Sequence, residues 1–281
     1  MKLHTSSSHP ALHIGLVALA CAAAGCVATP RVEPAPRMFG AVVRVQERWL
    51  ELRVSQPQTR RDVEPLVVFV TGDGGWRGKD LDAFEHLTRW GYPVAGFSAP
   101  AYLDHLAGDA VHLPPRTLAR DFASVIAAAR VQLALPATTP VVLFGISRGA
   151  DLAVVAAAER TLRRSIGGVL AVGLTTEEEF VRRTRRSAPH TLDEAEPVKP
   201  YEMLRRVDTA VCVIQSTNDQ YVRAADARVL FGPNSARRQF HAIESRDHSF
   251  SDSRETLYAT MRASLQWVAA QATPASPAAA P

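Results

Sequence analysis

Short runs of apolar, largely β-branched residues alternate along this chain with segments of helical period, and that alternation restricts the fold more than any other feature. Leu66–Val70 precedes a helical pattern over Leu81–Trp90, Val94–Phe97 precedes Thr117–Leu133, and Val141–Phe144 precedes Ala150–Leu162. The series continues with Ile166–Val172, an irregular charged stretch, Val211–Ile214, a helix near Ala224–Leu230, the strand Gln239–Ile243 and a last helix over Arg254–Ala270. Strands that read as unbroken apolar runs are buried on both faces, which requires a mostly parallel sheet covered by helices. The 41–54 segment alternates instead, as an antiparallel edge strand does. The expected fold class is therefore α/β: a doubly wound, mostly parallel sheet with helices on both faces. With 47% hydrophobic and 21% charged residues, the chain has the means to bury one sizeable core.

The two ends have a different composition. Lys2 with several His and Ser, then an apolar run from Ile14 to Ala24, read as a targeting segment too short to span a membrane. Ala23-Ala24-Gly25-Cys26 resembles the bacterial lipobox, in which the cysteine is acylated and becomes the mature N-terminus. Residues 1–26 are then a signal peptide, Cys26 is the lipid attachment site, and a membrane is a partner through that anchor. Conventional cleavage near Ala28 is the competing reading. Val27 after the cysteine favours a periplasmic protein held at the outer membrane. Residues 27–38 have the composition of a linker, the domain spans 39–271, and 272–281 reads as a disordered tail. Of three cysteines, Cys212 alone stays in the folded part, in the apolar run Ala210–Ile214, as a buried strand residue. A net charge of +4 without aromatic-interleaved basic repeats gives nucleic-acid binding no support.

Gly145-Ile146-Ser147-Arg148-Gly149 matches G-x-S-x-G between a strand and a helix. The small flanking residues permit a sharp turn that lifts a serine hydroxyl above the sheet edge and leaves the Arg148 N–H facing a developing oxyanion. A serine hydroxyl needs a base to take its proton and an acid to orient that base. The acid belongs on the loop after Val211–Ile214, where Asp219 fits better than Asp226 or Asp208. The base belongs after Gln239–Ile243, where His248 follows the strand and His241 lies within it. Ser147, Asp219 and His248 are thus the candidate catalytic residues, and no cofactor or metal is implied.

A second oxyanion donor is expected from the loop after Leu66–Val70, which reads Thr71-Gly72-Asp73-Gly74-Gly75-Trp76. Backbone N–H groups of Gly72, Asp73 and Gly74 are the candidates. Such a loop could instead cradle phosphate, but it carries neither a Walker pattern nor G-x-G-x-x-G. Trp76 reads either as the roof of a substrate pocket or as core packing.

Gly72-Asp73-Gly74-Gly75-Trp76, followed by a helix and Gly-Tyr-Pro-Val, together with Ser147-Arg148-Gly149-Ala150-Asp151, resembles the AcvB/VirJ family of bacterial periplasmic α/β hydrolases. The resemblance covers about Pro65 to Phe180. It implies the α/β-hydrolase fold, Ser147 as nucleophile with Asp219 and His248, an oxyanion site around Gly72–Gly74, and cleavage of aminoacyl groups from aminoacylated phosphatidylglycerol. The segment Ser245–Phe250 looks more like the ending of a general esterase or a dienelactone hydrolase.

Thr175–Arg206 lies where such folds insert a cap, and it holds Arg182, Arg183, Arg185 and Arg186. These read as a solvated face or as a site for anionic head groups. The expected function is an exported serine hydrolase cleaving an acyl or aminoacyl ester, with a small-molecule or lipid ester as substrate. The rivals are a small-molecule carboxylesterase of dienelactone type and a non-catalytic envelope binding protein on the same fold.

Overall fold

The computed structural model describes residues 35–57, 64–104, 113–178, 180 and 197–272. The signal segment with Cys26, most of the linker, the arginines at 182–186 and the tail beyond Ala272 fall outside these residues.

An eight-stranded sheet has the order β1-β2-β4-β3-β5-β6-β7-β8. Its strands are β1 (Arg37–Val45), β2 (Arg48–Gln56), β3 (Leu66–Val70), β4 (Val94–Phe97), β5 (Val141–Ile146), β6 (Gly168–Val172), β7 (Ala210–Ser216) and β8 (Arg238–Ile243). From β4 to β8 neighbouring strands pair in parallel, while β1–β2 and β2–β4 are antiparallel. The helices are α1 (Gly78–Arg89), α2 (Ala99–Asp104), α3 (Pro115–Gln132), α4 (Arg148–Ala158), α5 (Arg160–Arg163), α6 (Pro200–Met203), α7 (Ala224–Phe231) and α8 (Arg254–Gln271).

The strand period of two divides the core into two layers. Leu66, Val68 and Val70 of β3 pack with Leu118, Phe122 and Ile126 of α3 and with the buried face of α4. Val67 and Phe69 point the other way, toward Phe84 and Leu87 of α1 and Leu257, Met261 and Leu265 of α8. Both strand faces are thereby buried, the condition that the unbroken apolar runs required.

Three sequence expectations change. The 41–54 segment is two strands in register, Val45 opposite Arg48, joined at Gln46 and Glu47, and the first opens at Arg37, ahead of the expected start near Phe39. No glycine or proline marks this turn; Gln46 takes φ 53° itself, and its side-chain amide donates to Asp121 Oδ2 at 2.8 Å. The helix expected over Ala150–Leu162 breaks at Glu159, whose backbone is extended. The break turns α5 so that Leu162 is buried while Arg163 donates to the Arg206 carbonyl and pairs with Asp208.

Candidate active site

The nucleophile candidate sits at a sharp turn between strand and helix. Ser147 links β5 to α4 at φ 54°, ψ −127°, a conformation that non-glycine residues adopt only where the surroundings enforce it. Its N–H donates to the Val172 carbonyl at 2.7 Å, pinning the elbow to β6. The glycines of the motif are demanded by close approach: a β-carbon on Gly145 would stand 2.1 Å from the Gly149 oxygen, and one on Gly149 would stand 2.3 Å from the Val70 oxygen. The elbow therefore packs into β3 backbone with no room for a side chain on either side of the serine.

The loops after β7 and β8 bring two more side chains to the same place. His248 Nε2 lies 2.8 Å from Ser147 Oγ, and its Nδ1 lies 2.6 Å from Asp219 Oδ2. With a carboxylate at Nδ1, the neutral ring carries its proton there and offers Nε2 as acceptor to the serine hydroxyl. Asp219 is itself held on both oxygens. Oδ1 accepts the N–H of Tyr221 at 2.9 Å, and Oδ2 accepts the side-chain amide of Gln215 at 2.9 Å. Gln220 Oε1 accepts the His248 N–H at 3.0 Å, and the Tyr221 ring meets the imidazole edge to face, centroids 4.9 Å apart. Both His248 and Asp219 are buried, so their hydrogen bonds act in a medium of low polarity.

The rival positions are elsewhere. His241 stays in β8, half-buried, with Nε2 3.3 Å from Gln239 Oε1, and burial lowers its pKa. Asp226 lies in the first turn of α7, and Asp208 pairs with Arg163 at 3.2 Å.

The oxyanion candidates separate in the same way. The Arg148 N–H is at the start of α4, where first-turn donors have no intrahelical acceptor. Gly72 does not offer a donor: its N–H is taken by Asp80 Oδ1 at 2.5 Å. A sequence reading cannot see this, because Asp80 is distant from the elbow and resembles any acidic first-turn residue. Asp73 and Gly74 remain, with no acceptor for either N–H among the described residues. Gly72 abuts the elbow, since its β-carbon position is 3.1 Å from Ser147 Cβ, which places Asp73 beside the serine.

Arg148 and Asp151 of the elbow motif acquire roles that the sequence did not reveal. Arg148 Nε lies 3.1 Å from both Asp73 Oδ1 and Glu178 Oε1. Asp151, fully buried, accepts the Thr175 N–H and the Thr175 hydroxyl at 3.0 Å each. Burial, reinforced by the Glu178 charge, pushes the Asp151 carboxyl well above the usual carboxylate range. Glu178 and Val198 exchange backbone hydrogen bonds of 2.8 and 2.9 Å. The described ends of the 175–206 insertion are thus joined to each other and clamped to the helix that follows Ser147.

Trp76 is half-buried and packs against the core layer beneath α1. Its indole packs on Phe69 and Phe84 at centroid distances of 6.0 and 5.2 Å, with the Arg53 guanidinium 4.6 Å above it. The ring's outer edge is 2.8 Å from the β-carbon position of Gly96 in the middle of β4, so it covers β4. Beside it opens a cavity of about 850 Å³ between the β1–β2 hairpin and α1, lined also by Met38, Arg53 and Leu81. Cys212 is buried, and burial drives its thiol pKa up to about 12, as an inert strand residue requires. Among the described residues no group of His, Cys, Asp and Glu is arranged to hold a metal ion, and no helix is long and apolar enough to cross a membrane.

Comparison with known proteins bears on this geometry. A family model described as bacterial virulence protein (VirJ) matches residues 64–263. A search of curated proteins returns no significant match. Similar solved structures include Est1E from Butyrivibrio proteoclasticus, 15% identical with a TM-score of 0.58 over 82% of this chain and 99% of that one. A dienelactone hydrolase from Anabaena variabilis is 19% identical, TM-score 0.58, over 85% of this chain and 100% of that one. An α/β serine hydrolase without a lid from Xanthomonas campestris is 16% identical, TM-score 0.54, over 82% and 94%. The fold is that of the α/β hydrolases.

Proposed function

This chain belongs to the VirJ family of bacterial virulence proteins, and from that premise we propose that it is a serine hydrolase that cleaves an acyl or aminoacyl ester through an acyl-enzyme. The observation that carries the reading is the in-line set Ser147 Oγ, His248 Nε2 and Nδ1, and Asp219 Oδ2, spaced 2.8 and 2.6 Å. In this mechanism His248 Nε2 takes the Ser147 proton as Oγ attacks the ester carbonyl, and Asp219 stabilises the imidazolium. The N–H of Arg148 and one from Asp73 or Gly74 receive the oxyanion. Collapse of the tetrahedral intermediate expels the alcohol, which takes the proton from His248. Water, deprotonated by the same nitrogen, then attacks the acyl-enzyme and releases the acid and Ser147.

Aminoacylated phosphatidylglycerol is the lipid substrate that the family resemblance implies. In its support, the Asp73 carboxylate, engaged with Arg148 through Oδ1, is exposed next to Ser147 and has an edge open to an approaching aminoacyl ammonium. Small acyl esters are the second reading, favoured by the esterase-like segment Ser245–Phe250. Export and acylation at Cys26 belong to the same proposal and put the enzyme at the membrane that holds a lipid ester.

Labelling of the purified protein by a fluorophosphonate probe tests the reading. Wild type is expected to label and both Ser147→Ala and His248→Ala to stay dark; release of amino acid from aminoacyl lipid, set against hydrolysis of p-nitrophenyl butyrate, then separates the substrates. A folded wild type that takes no label would bring the non-catalytic binding protein forward.

A further inference from the structure

The Gly-rich loop after β3 is held at one point by a side chain from outside it. Asp80, in the first turn of α1, is buried, and its Oδ1 lies 2.5 Å from the Gly72 nitrogen. A carboxylate so placed makes a charge-assisted bond, stronger than one between neutral groups. The rest of the loop closes on itself, with the Gly75 N–H donating to the Gly72 carbonyl at 3.0 Å and Arg77 Nε donating to the Gly74 carbonyl at 2.8 Å. Gly72 is thereby fixed through both of its backbone polar groups, by Asp80 at nitrogen and by Gly75 at oxygen. The next N–H along the chain, that of Asp73, has no acceptor among the described residues. The Asp73 side chain in turn reaches Arg148 Nε at 3.1 Å, so the two residues following the loop's anchor and the nucleophile are tied to each other.

We propose that Asp80 is a positioning residue for the oxyanion site: by engaging the Gly72 N–H it makes the Asp73 N–H the second donor and holds it beside Ser147. The proposal rests on the serine-hydrolase reading above. Two consequences follow from the geometry. Asp80 touches no reacting atom, so its loss leaves ester binding in place. The Asp73 donor matters only once charge builds on the carbonyl oxygen, so the loss falls on the transition state.

The test uses full-length protein, p-nitrophenyl butyrate, and an alkyl trifluoromethyl ketone whose serine hemiketal carries an oxyanion. Asp80→Leu, which fills the site and removes the acceptor, is expected to lower kcat by about 10²-fold with KM within about twofold, the range seen when one oxyanion donor is lost. The ketone should weaken by a comparable factor. Asp80→Asn keeps an oxygen for Gly72 and should recover activity to within about tenfold of wild type. Asp80→Glu displaces the carboxylate by one methylene and serves if the leucine variant does not fold; it should reduce kcat with KM unchanged. A folded leucine or glutamate variant with wild-type kcat, a loss that appears in KM alone, or an asparagine variant as poor as leucine would each overturn the proposal. Absence of fluorophosphonate labelling in wild type strikes instead at the hydrolase reading on which it rests.

Discussion

Gly173 and the His248 ring are packed so closely that a β-carbon on Gly173 would stand 2.8 Å from Cε1 and 3.3 Å from Nδ1. Gly173 follows β6 at φ +65°, and its N–H donates to the Ile214 carbonyl at 2.8 Å, so the backbone there cannot retreat without breaking the β6–β7 edge. Gly173→Ala should therefore push the imidazole off its line between Ser147 and Asp219. A misplacement of that kind costs about 10²-fold in kcat/KM, with about 1–2 kcal/mol of stability lost to the left-handed backbone. Esterase kinetics and chemical denaturation of the purified variant measure both; unchanged kinetics would show that the ring shifts without penalty.

Asp219→Asn tests the orienting acid. The amide keeps the size of the carboxyl, and Gln215 and the Tyr221 N–H still surround it. The variant should fold with a melting temperature near wild type, yet lose about 10⁴ in kcat, because an amide that donates to Nδ1 reverses the tautomer the base needs. A loss below tenfold would remove Asp219 from the mechanism.

Asp151 predicts a pH dependence of stability. Burial raises its folded pKa above the unfolded value of about 3.9, so its favourable contribution is complete below that pH and declines as pH rises toward the folded value. Asp151→Asn puts a group that cannot ionise in the same place, one that can still meet Thr175. Unfolding free energies compared at intervals from pH 4 to 8 should show wild type falling progressively relative to the variant. A constant difference would mean that the carboxyl ionises in the folded protein at no cost.

Trp76→Ala separates core from pocket. Removing an indole packed on Phe69 and Phe84 should cost about 3 kcal/mol. The rate of fluorophosphonate labelling at a temperature where the variant stays folded should remain within about threefold of wild type. A selective loss of labelling in a stable variant would assign the tryptophan to the substrate site.

For the N-terminal proposal, cells expressing the full chain and fed an alkyne fatty acid should incorporate it in wild type and not in Cys26→Ser. Incorporation that persists in the serine variant would exclude Cys26 as the attachment site.

The order of strands and helices, the elbow and the chain positions of Asp219 and His248 were legible in the sequence because each is written locally. Apolar runs report burial on both sheet faces, Gly145 and Gly149 report a turn with no room for side chains, and Asp219 and His248 each follow a readable strand. The β1–β2 turn escaped notice because Gln46 stabilises it through Asp121, a partner 75 residues away. The roles of Gly72, Trp76 and Asp151 were hidden for the same reason. Gly72 looks like a free donor until Asp80 arrives from α1, and Trp76 stays open between roof and core packing until the bare backbone of Gly96 receives its ring. Asp151 is only a letter of the elbow motif until Thr175 and Glu178 surround it. The sequence by itself determined which groups this chain possesses and which elements carry them. Only the tertiary structure decided which of those groups are already engaged, since hydrogen-bond satisfaction and burial depend on neighbours that chain spacing does not specify.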